Sequence, residues 1–193
     1  MTRIRLAATL SAALAIWPTV ASAQQPSFEY KVLATSKTST MEKELNEAGE
    51  AGFHIDTIMG GETAIGGKEA VAIIARTSNS KTRYQYKLLA TNKTSTMQKE
   101  IQDAADFGYD YKGQTVFESL LGGKEVVVVM ERDSDHLTKG DSYKLLATTK
   151  TSTMEKELKE VGEAGFVALG MTVSKTLLGG KELVTITRRR GSR

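Results

Sequence analysis

Apolar and polar positions along the chain follow one design three times over. Tyr30-Lys31-Val32-Leu33-Ala34-Thr35 returns as Tyr86-Lys87-Leu88-Leu89-Ala90-Thr91 and again as Tyr143-Lys144-Leu145-Leu146-Ala147-Thr148. Lys-Thr-Ser-Thr-Met occurs at 37–41, 93–97 and 150–154, and Gly-Gly-Lys-Glu at 66–69, 122–125 and 179–182. The offsets are 56 and 57 residues, with no gap inside any copy. Such a fixed period is the mark of an internal repeat. The copies occupy 28–77, 84–133 and 141–190, and the short polar stretches 78–83 and 134–140 read as linkers.

Each copy predicts the same elements. The Tyr-Lys-Leu-Leu-Ala-Thr segment is a short strand. A helix follows, opened by Ser39 with Glu42, Ser95 with Gln98 and Ser152 with Glu155, the Ser-x-x-Glu/Gln spacing of a capping box. Met41, Leu45, Ala48 and Gly52 give the helix one narrow apolar face. Gly52, Gly108 and Gly165 end the helices, each followed by an aromatic: Phe53, Tyr109 or Phe166. A second strand runs to the Gly-Gly pair, read as a two-residue hairpin turn. The third strand is clearest at Val126-Val127-Val128-Val129-Met130, a continuous apolar run that suits a strand covered on both faces. The first two strands are expected to be parallel, joined by a right-handed crossover. The third strand, being the most apolar, is placed between them.

The fold class is therefore α+β: three tandem βαββ modules, each a three-stranded sheet with one helix on one face. Such a module leaves the other sheet face uncovered, because successive strand residues point opposite ways. The expected remedy is burial of the three open faces against each other around a pseudo-threefold axis, with edge-to-edge joining of the sheets as the alternative.

Phe28-Glu29-Tyr30-Lys31-Val32, followed by Leu45, Gly49, Gly52 and Phe53 and a Gly-rich hairpin into a Val-rich strand, resembles a bacterial domain family of unknown function. Its modules begin Tyr-Glu-Tyr-Lys-Val. Copy two departs with Ala105 where the other copies have Gly49 and Gly162. The resemblance implies a fold and no mechanism.

The first 23 residues are set apart. Arg3 and Arg5 precede an apolar stretch over 6–17, and Ala21-Ser22-Ala23 provides a small-x-small cleavage site. That is the layout of a secretory signal peptide, too short for a membrane span, and it implies a periplasmic or secreted protein. Losing Arg3 and Arg5 leaves 24 basic against 23 acidic side chains, so the formal charge falls from +3 to +1. Near-neutrality with interspersed signs argues against nucleic acid as a partner. The block at 188–190 with Arg193 reads as a solvated basic tail. There is no cysteine, which excludes disulfides and thiol chemistry.

The candidate binding residues lie at the helix starts, where unpaired N–H groups favour anions. They are Lys37, Thr38, Ser39 and Thr40; Lys93, Thr94, Ser95 and Thr96; and Lys150, Thr151, Ser152 and Thr153. Parallel first and second strands would bring the hairpin lysines Lys68, Lys124 and Lys181 to the same rims. Capping and turn formation explain the Ser and Gly residues of these motifs without any ligand, but not the Lys and Thr.

Catalytic signals are poor. His54 and His136 have no counterparts in other copies and read as solvated. Asp56, Asp103, Asp106 and Asp110 make no metal-loop spacing, and no cofactor motif is present. Glu44, Glu100 and Glu157 sit beside lysines on a solvated helix face. Tyr84, Tyr86, Tyr109 and Tyr111 read as core or inter-module packing. The expectation is a non-enzymatic interaction or assembly protein, with a protein partner or its own copies. Binding of small anions or acidic glycans at the rims is the alternative. An enzyme ranks last and would need a site formed between copies.

Overall fold

The computed structural model describes residues 27–64, 67–91, 93–118, 124–137, 140–175 and 181–191. The leader expected at 1–23 lies outside the described residues, as does Arg193. Repeat 1 contains β1 (Phe28–Thr35), α1 (Thr38–Glu50), β2 (His54–Thr63) and β3 (Gly67–Thr77). Repeat 2 contains β4 (Tyr84–Thr91), α2 (Thr94–Asp106), β5 (Asp110–Glu118) and β6 (Lys124–Asp133). Repeat 3 contains β7 (Ser142–Thr148), α3 (Thr151–Glu163), β8 (Val167–Lys175) and β9 (Lys181–Arg189).

Each repeat forms a three-stranded sheet in which its third strand is central and antiparallel to both neighbours. The registers coincide: Tyr30 lies opposite Ala75, Tyr86 opposite Glu131, and Tyr143 opposite Arg188. Each second strand carries a bulge at the same place, at Asp56, Lys112 and Leu169.

Helix ends divide into one expectation met and one corrected. Gly52, Gly108 and Gly165 have φ of +85°, +86° and +81°. Gly52 N–H donates to Gly49 O and Phe53 N–H to Ala48 O, the paired bonds of a Schellman motif. At the start, the N-caps are Lys37, Lys93 and Lys150, and none is capped by a side chain. The Ser-x-x-Glu/Gln spacing is thus not a capping box. Its Glu42 and Gln98 reach instead to the next repeat. The lysine amides are held by Thr35, Thr91 and Thr148, whose Oγ1 atoms accept at 3.2, 3.1 and 3.3 Å. The first hairpin also differs from expectation: Gly67 already belongs to β3, paired with Thr63, while residues 65–66 lie outside the described residues. The connections at 119–123 and 176–180 lie outside the described residues.

The aromatic after each helix sits between two cations. Lys31 Nζ and the Arg76 guanidinium lie 4.4 and 4.6 Å from the Phe53 ring centre. Lys87 and Arg132 flank Tyr109 at 4.9 and 5.0 Å, and Lys144 and Arg189 flank Phe166 at 4.8 and 5.0 Å. Each of these arginines also donates to the C-cap carbonyl of Ala51, Phe107 or Ala164. Part of the supposed basic tail is therefore structural.

The repeats pack in series. Helix α1 lies on its own sheet and also against β4, while α2 lies against β4 and β7. One core joins Met41, Leu45 and Phe53 of repeat 1 to Tyr86, Val127 and Val129 of repeat 2. The second joins Met97, Ile101 and Tyr109 to Tyr143 and Ile186 of repeat 3, with Val128 and Met130. The apolar run in β6 is therefore buried on both faces, its odd positions under α1 and its even positions under α2. The order is sheet, helix, sheet, helix, sheet, helix. This corrects the pseudo-threefold closure, because the face of sheet 1 that closure would bury is open: Tyr30 and Val32 are 60% and 64% exposed.

Candidate functional site

In repeats 1 and 2 the rims are built as the topology requires, and the hairpin lysines there are already paired. Lys37, Lys93 and Lys150 are exposed at the helix starts, as are Ser39, Ser95, Thr96, Thr151 and Ser152, while Thr38, Thr40, Thr94 and Thr153 are half-buried. Lys68 pairs with Glu118 of the next repeat at 2.6 Å, and Lys124 approaches the same carboxylate at 3.7 Å. The Lys68 hydrogen bond, with the charges of both lysines, holds the Glu118 carboxyl below its ordinary value. Beside α2, a cleft of about 420 Å³ is lined by Thr94, Ser95, Gln98 and Glu157. An acid thus stands where an anion was expected. The Lys181 side chain lies outside the described residues.

The repeats are joined by polar contacts that depend on the neighbouring copy. Asn46 on α1 bonds both backbone groups of Tyr86, and Glu42 accepts the Leu88 N–H at 3.3 Å. On α2, Gln102 accepts the Tyr143 N–H at 2.9 Å and donates to Asp141 O at 3.2 Å. Gln98 accepts the Leu145 N–H at 2.7 Å and donates to Tyr143 O at 3.0 Å. These side chains satisfy the outer backbone groups of β4 and β7, which would otherwise be bare sheet edges. Gly49 brings α1 close enough that a Cβ there would overlap the Tyr84 carbonyl.

Each joint also holds a tyrosine-anchored ion pair, with opposite polarity. In the first, buried Glu131 accepts from Tyr86 Oη at 2.7 Å and from the Ile55 N–H at 3.2 Å. Lys112, from the bulge, closes on it at 2.8 Å. Burial, then the Glu131 charge, drives the Tyr86 phenol well above its ordinary value. In the second, Arg188 occupies the Glu131 position and pairs with Asp110, which also accepts from Tyr143 Oη at 2.6 Å. Burial tends to raise the Asp110 carboxyl, but the bonds from Tyr143 and Arg188 outweigh it and hold the group below its ordinary value.

Around the first joint lies a cleft of about 340 Å³ lined by His54 and His136 with Tyr84, Lys112, Glu131 and Asp133. The sequence reads both histidines as solvated, and the fold brings them to one cleft. Each stands 3.4 Å from an aspartate, His54 by Asp56 and His136 by Asp133. Among the described residues, no group of three or more His, Cys, Asp or Glu side chains is placed to hold a metal ion.

No known relative supplies a function. The chain matches no family model, no curated protein and no solved structure.

The exposed apolar residues then mark the two ends of the stack. Of ten large apolar side chains exposed among the described residues, five lie on the open face of sheet 1 and three on β8. The first set is Phe28, Tyr30, Val32, Met59 and Ile73. The positions equivalent to the last four are Tyr86, Leu88, Thr115 and Val129 in repeat 2; three of these are at most 4% exposed, and Leu88 is half-buried. What covers them is repeat 1, with α1 against β4 and β2 against β5, where the Gly60 N–H donates to Thr115. Sheet 1 has no preceding helix among the described residues, so the same surface stands bare. No helix among those residues is long and apolar enough to cross a membrane.

Proposed function

We propose that the chain is a non-enzymatic, exported protein, periplasmic or secreted, whose stacked repeats serve interaction or assembly through the open face of sheet 1. One observation carries this reading: Phe28, Tyr30, Val32 and Met59 are 53–68% exposed on a surface that the other two repeats bury. Contiguous exposed apolar surface on a folded domain marks an interaction site. The leader pattern at 1–23 supports export. Membership of the family whose modules begin Tyr-Glu-Tyr-Lys-Val is proposed on the motifs of the repeat alone.

Anion or glycan binding at the rims has less support, since Glu118 and Glu157 already supply negative charge there. An enzyme has less still, because the inter-repeat ion pairs are taken up in joining the sheets.

The test compares the protein with a Tyr30→Lys/Val32→Lys variant, both confirmed folded by circular dichroism. Each is immobilised, exposed to an envelope extract and read by native mass spectrometry. Proteins retained by the parent, copies of itself included, should be lost from the variant. An unchanged retained set would refute the face as the interaction site.

A further inference from the structure

The interface between consecutive repeats has two halves, and the described residues leave one of each open. Sheet 1 offers the accepting half, described above. Repeat 3 offers the donating half. Val167, Met171 and Val173 are 65%, 55% and 60% exposed on β8. Five of their six counterparts in the earlier repeats touch the next repeat. At the Val167 position, His54 meets the Tyr84 ring and Asp110 meets Tyr143. At the Met171 position, Ile58 lies over Gly113, its Cγ2 3.1 Å from where a Cβ would stand, and Gln114 bonds Thr172 and Val184 O. At the Val173 position, the Gly60 N–H donates to Thr115.

Helix α3 continues the pattern. Its Glu155 and Lys159 are exposed at the positions of Glu42 and Asn46. Gly162, at the position of the closely packed Gly49, faces open space within 4 Å.

We infer that the partner of the open sheet is a second copy of this chain, its α3 and β8 docking on β1 and sheet 1 as each repeat docks on the next. The inference rests on the interaction reading above and names the partner for that face. The contact is head-to-tail, so it either propagates or closes into a ring. Glu155 would accept the Val32 N–H, as Glu42 accepts that of Leu88. Val167 would meet Tyr30 and Ala75, an apolar contact where the two internal joints hold ion pairs. Lys159 makes this joint weaker than the internal ones, because an ammonium donates to a carbonyl but cannot accept the Tyr30 N–H. Association through it is therefore reversible and concentration-dependent.

The purified protein is followed by sedimentation velocity and light scattering from micromolar to near-millimolar concentration. Average mass should climb with concentration. Val32→Lys removes the accepting end and Met171→Lys the donating end, both at exposed positions, and each alone should weaken self-association at least tenfold. Mixed in equal amounts, the two variants should give a dimer and stop there, since each retains the half the other lacks. Lys159→Gln restores the amide that α2 carries at this position, and should tighten association by roughly tenfold, the worth of about one hydrogen bond. A protein that stays monomeric throughout, or variants whose mixture gives no dimer, would overturn self-docking. If a monomeric protein still captures another protein in a Val32-dependent way, the interaction reading stands and only this inference fails.

Discussion

Asn46 and Tyr86 hold each other in both directions. The Asn46 Nδ2 donates to the Tyr86 carbonyl at 3.1 Å, and the Tyr86 amide donates to Asn46 Oδ1 at 2.9 Å. A side-chain amide thus pairs with a strand edge as another strand would. Asn46→Ala should lower stability by about 1–3 kcal/mol, since it leaves two half-buried backbone groups without partners. Asn46→Asp should fall between, keeping the acceptor and losing the donor. Urea unfolding of the three proteins checks the order.

Gly49 and Gly162 occupy the same helical position and should respond oppositely to alanine. At Gly49 the new methyl meets the Tyr84 carbonyl, so α1 must lift from sheet 2 at a cost of about 1–3 kcal/mol. At Gly162 nothing stands within 4 Å, so the substitution should be neutral or stabilise by up to about 1 kcal/mol through helix propensity. Melting temperatures in dilute solution measure both. Ala105 at the same position of α2 is buried, so the second joint is spaced for the methyl and the first is not.

Glu131 is the charge the first joint can least spare. Glu131→Ala would strip Tyr86 Oη and the Ile55 N–H of an acceptor and leave Lys112 unpaired. A loss of about 2–4 kcal/mol is expected, toward the lower end because Lys112 is 36% exposed. Lys112→Ala should cost less than Glu131→Ala, and the reverse order would contradict the account.

Much of the fold is legible in the sequence because three copies repeat the same signals. The strand order follows from the apolar run at 126–130, and the helix ends from Gly52, Gly108 and Gly165. What was not legible depends on neighbours. Glu42 and Gln98 carry the spacing of a capping box, and only the adjacent strand shows that they serve docking. Arg188 and Arg189 read as a tail because their partners Asp110 and Phe166 are distant in sequence. One signal was available: Glu131 ends an apolar strand where repeats 1 and 3 carry Ala75 and Arg188, and so marks a buried charge.

Acid should loosen the second joint through Asp110. Its carboxyl titrates below the ordinary range in the folded protein and within it when unfolded. The pairing therefore contributes fully above the unfolded value and is lost as pH falls through the folded one. Asp110→Asn should be less stable at neutral pH and should flatten that part of the stability–pH profile. An unchanged profile between mildly acidic pH and about pH 2 would rule out this source.

Substituting Lys37, Lys93 and Lys150 together with Ala should leave stability unchanged, since all three side chains are exposed. Phosphate, sulfate or an acidic sugar at millimolar concentration should not shift the melting temperature of the parent protein. A shift that the triple variant abolishes would revive the rims as an anion site.

The most direct measurement is residue-resolved amide hydrogen exchange on dilute protein. Tyr30 and Val32 in β1, Tyr86 and Leu88 in β4, and Tyr143 and Leu145 in β7 occupy equivalent registers. In β4 and β7 the preceding helix accepts these amides. Serial stacking predicts strong protection at Tyr86, Leu88, Tyr143 and Leu145, and fast exchange at Tyr30 and Val32. Equal protection at all six would mean that sheet 1 is covered in the monomer, and would contradict an open-ended stack.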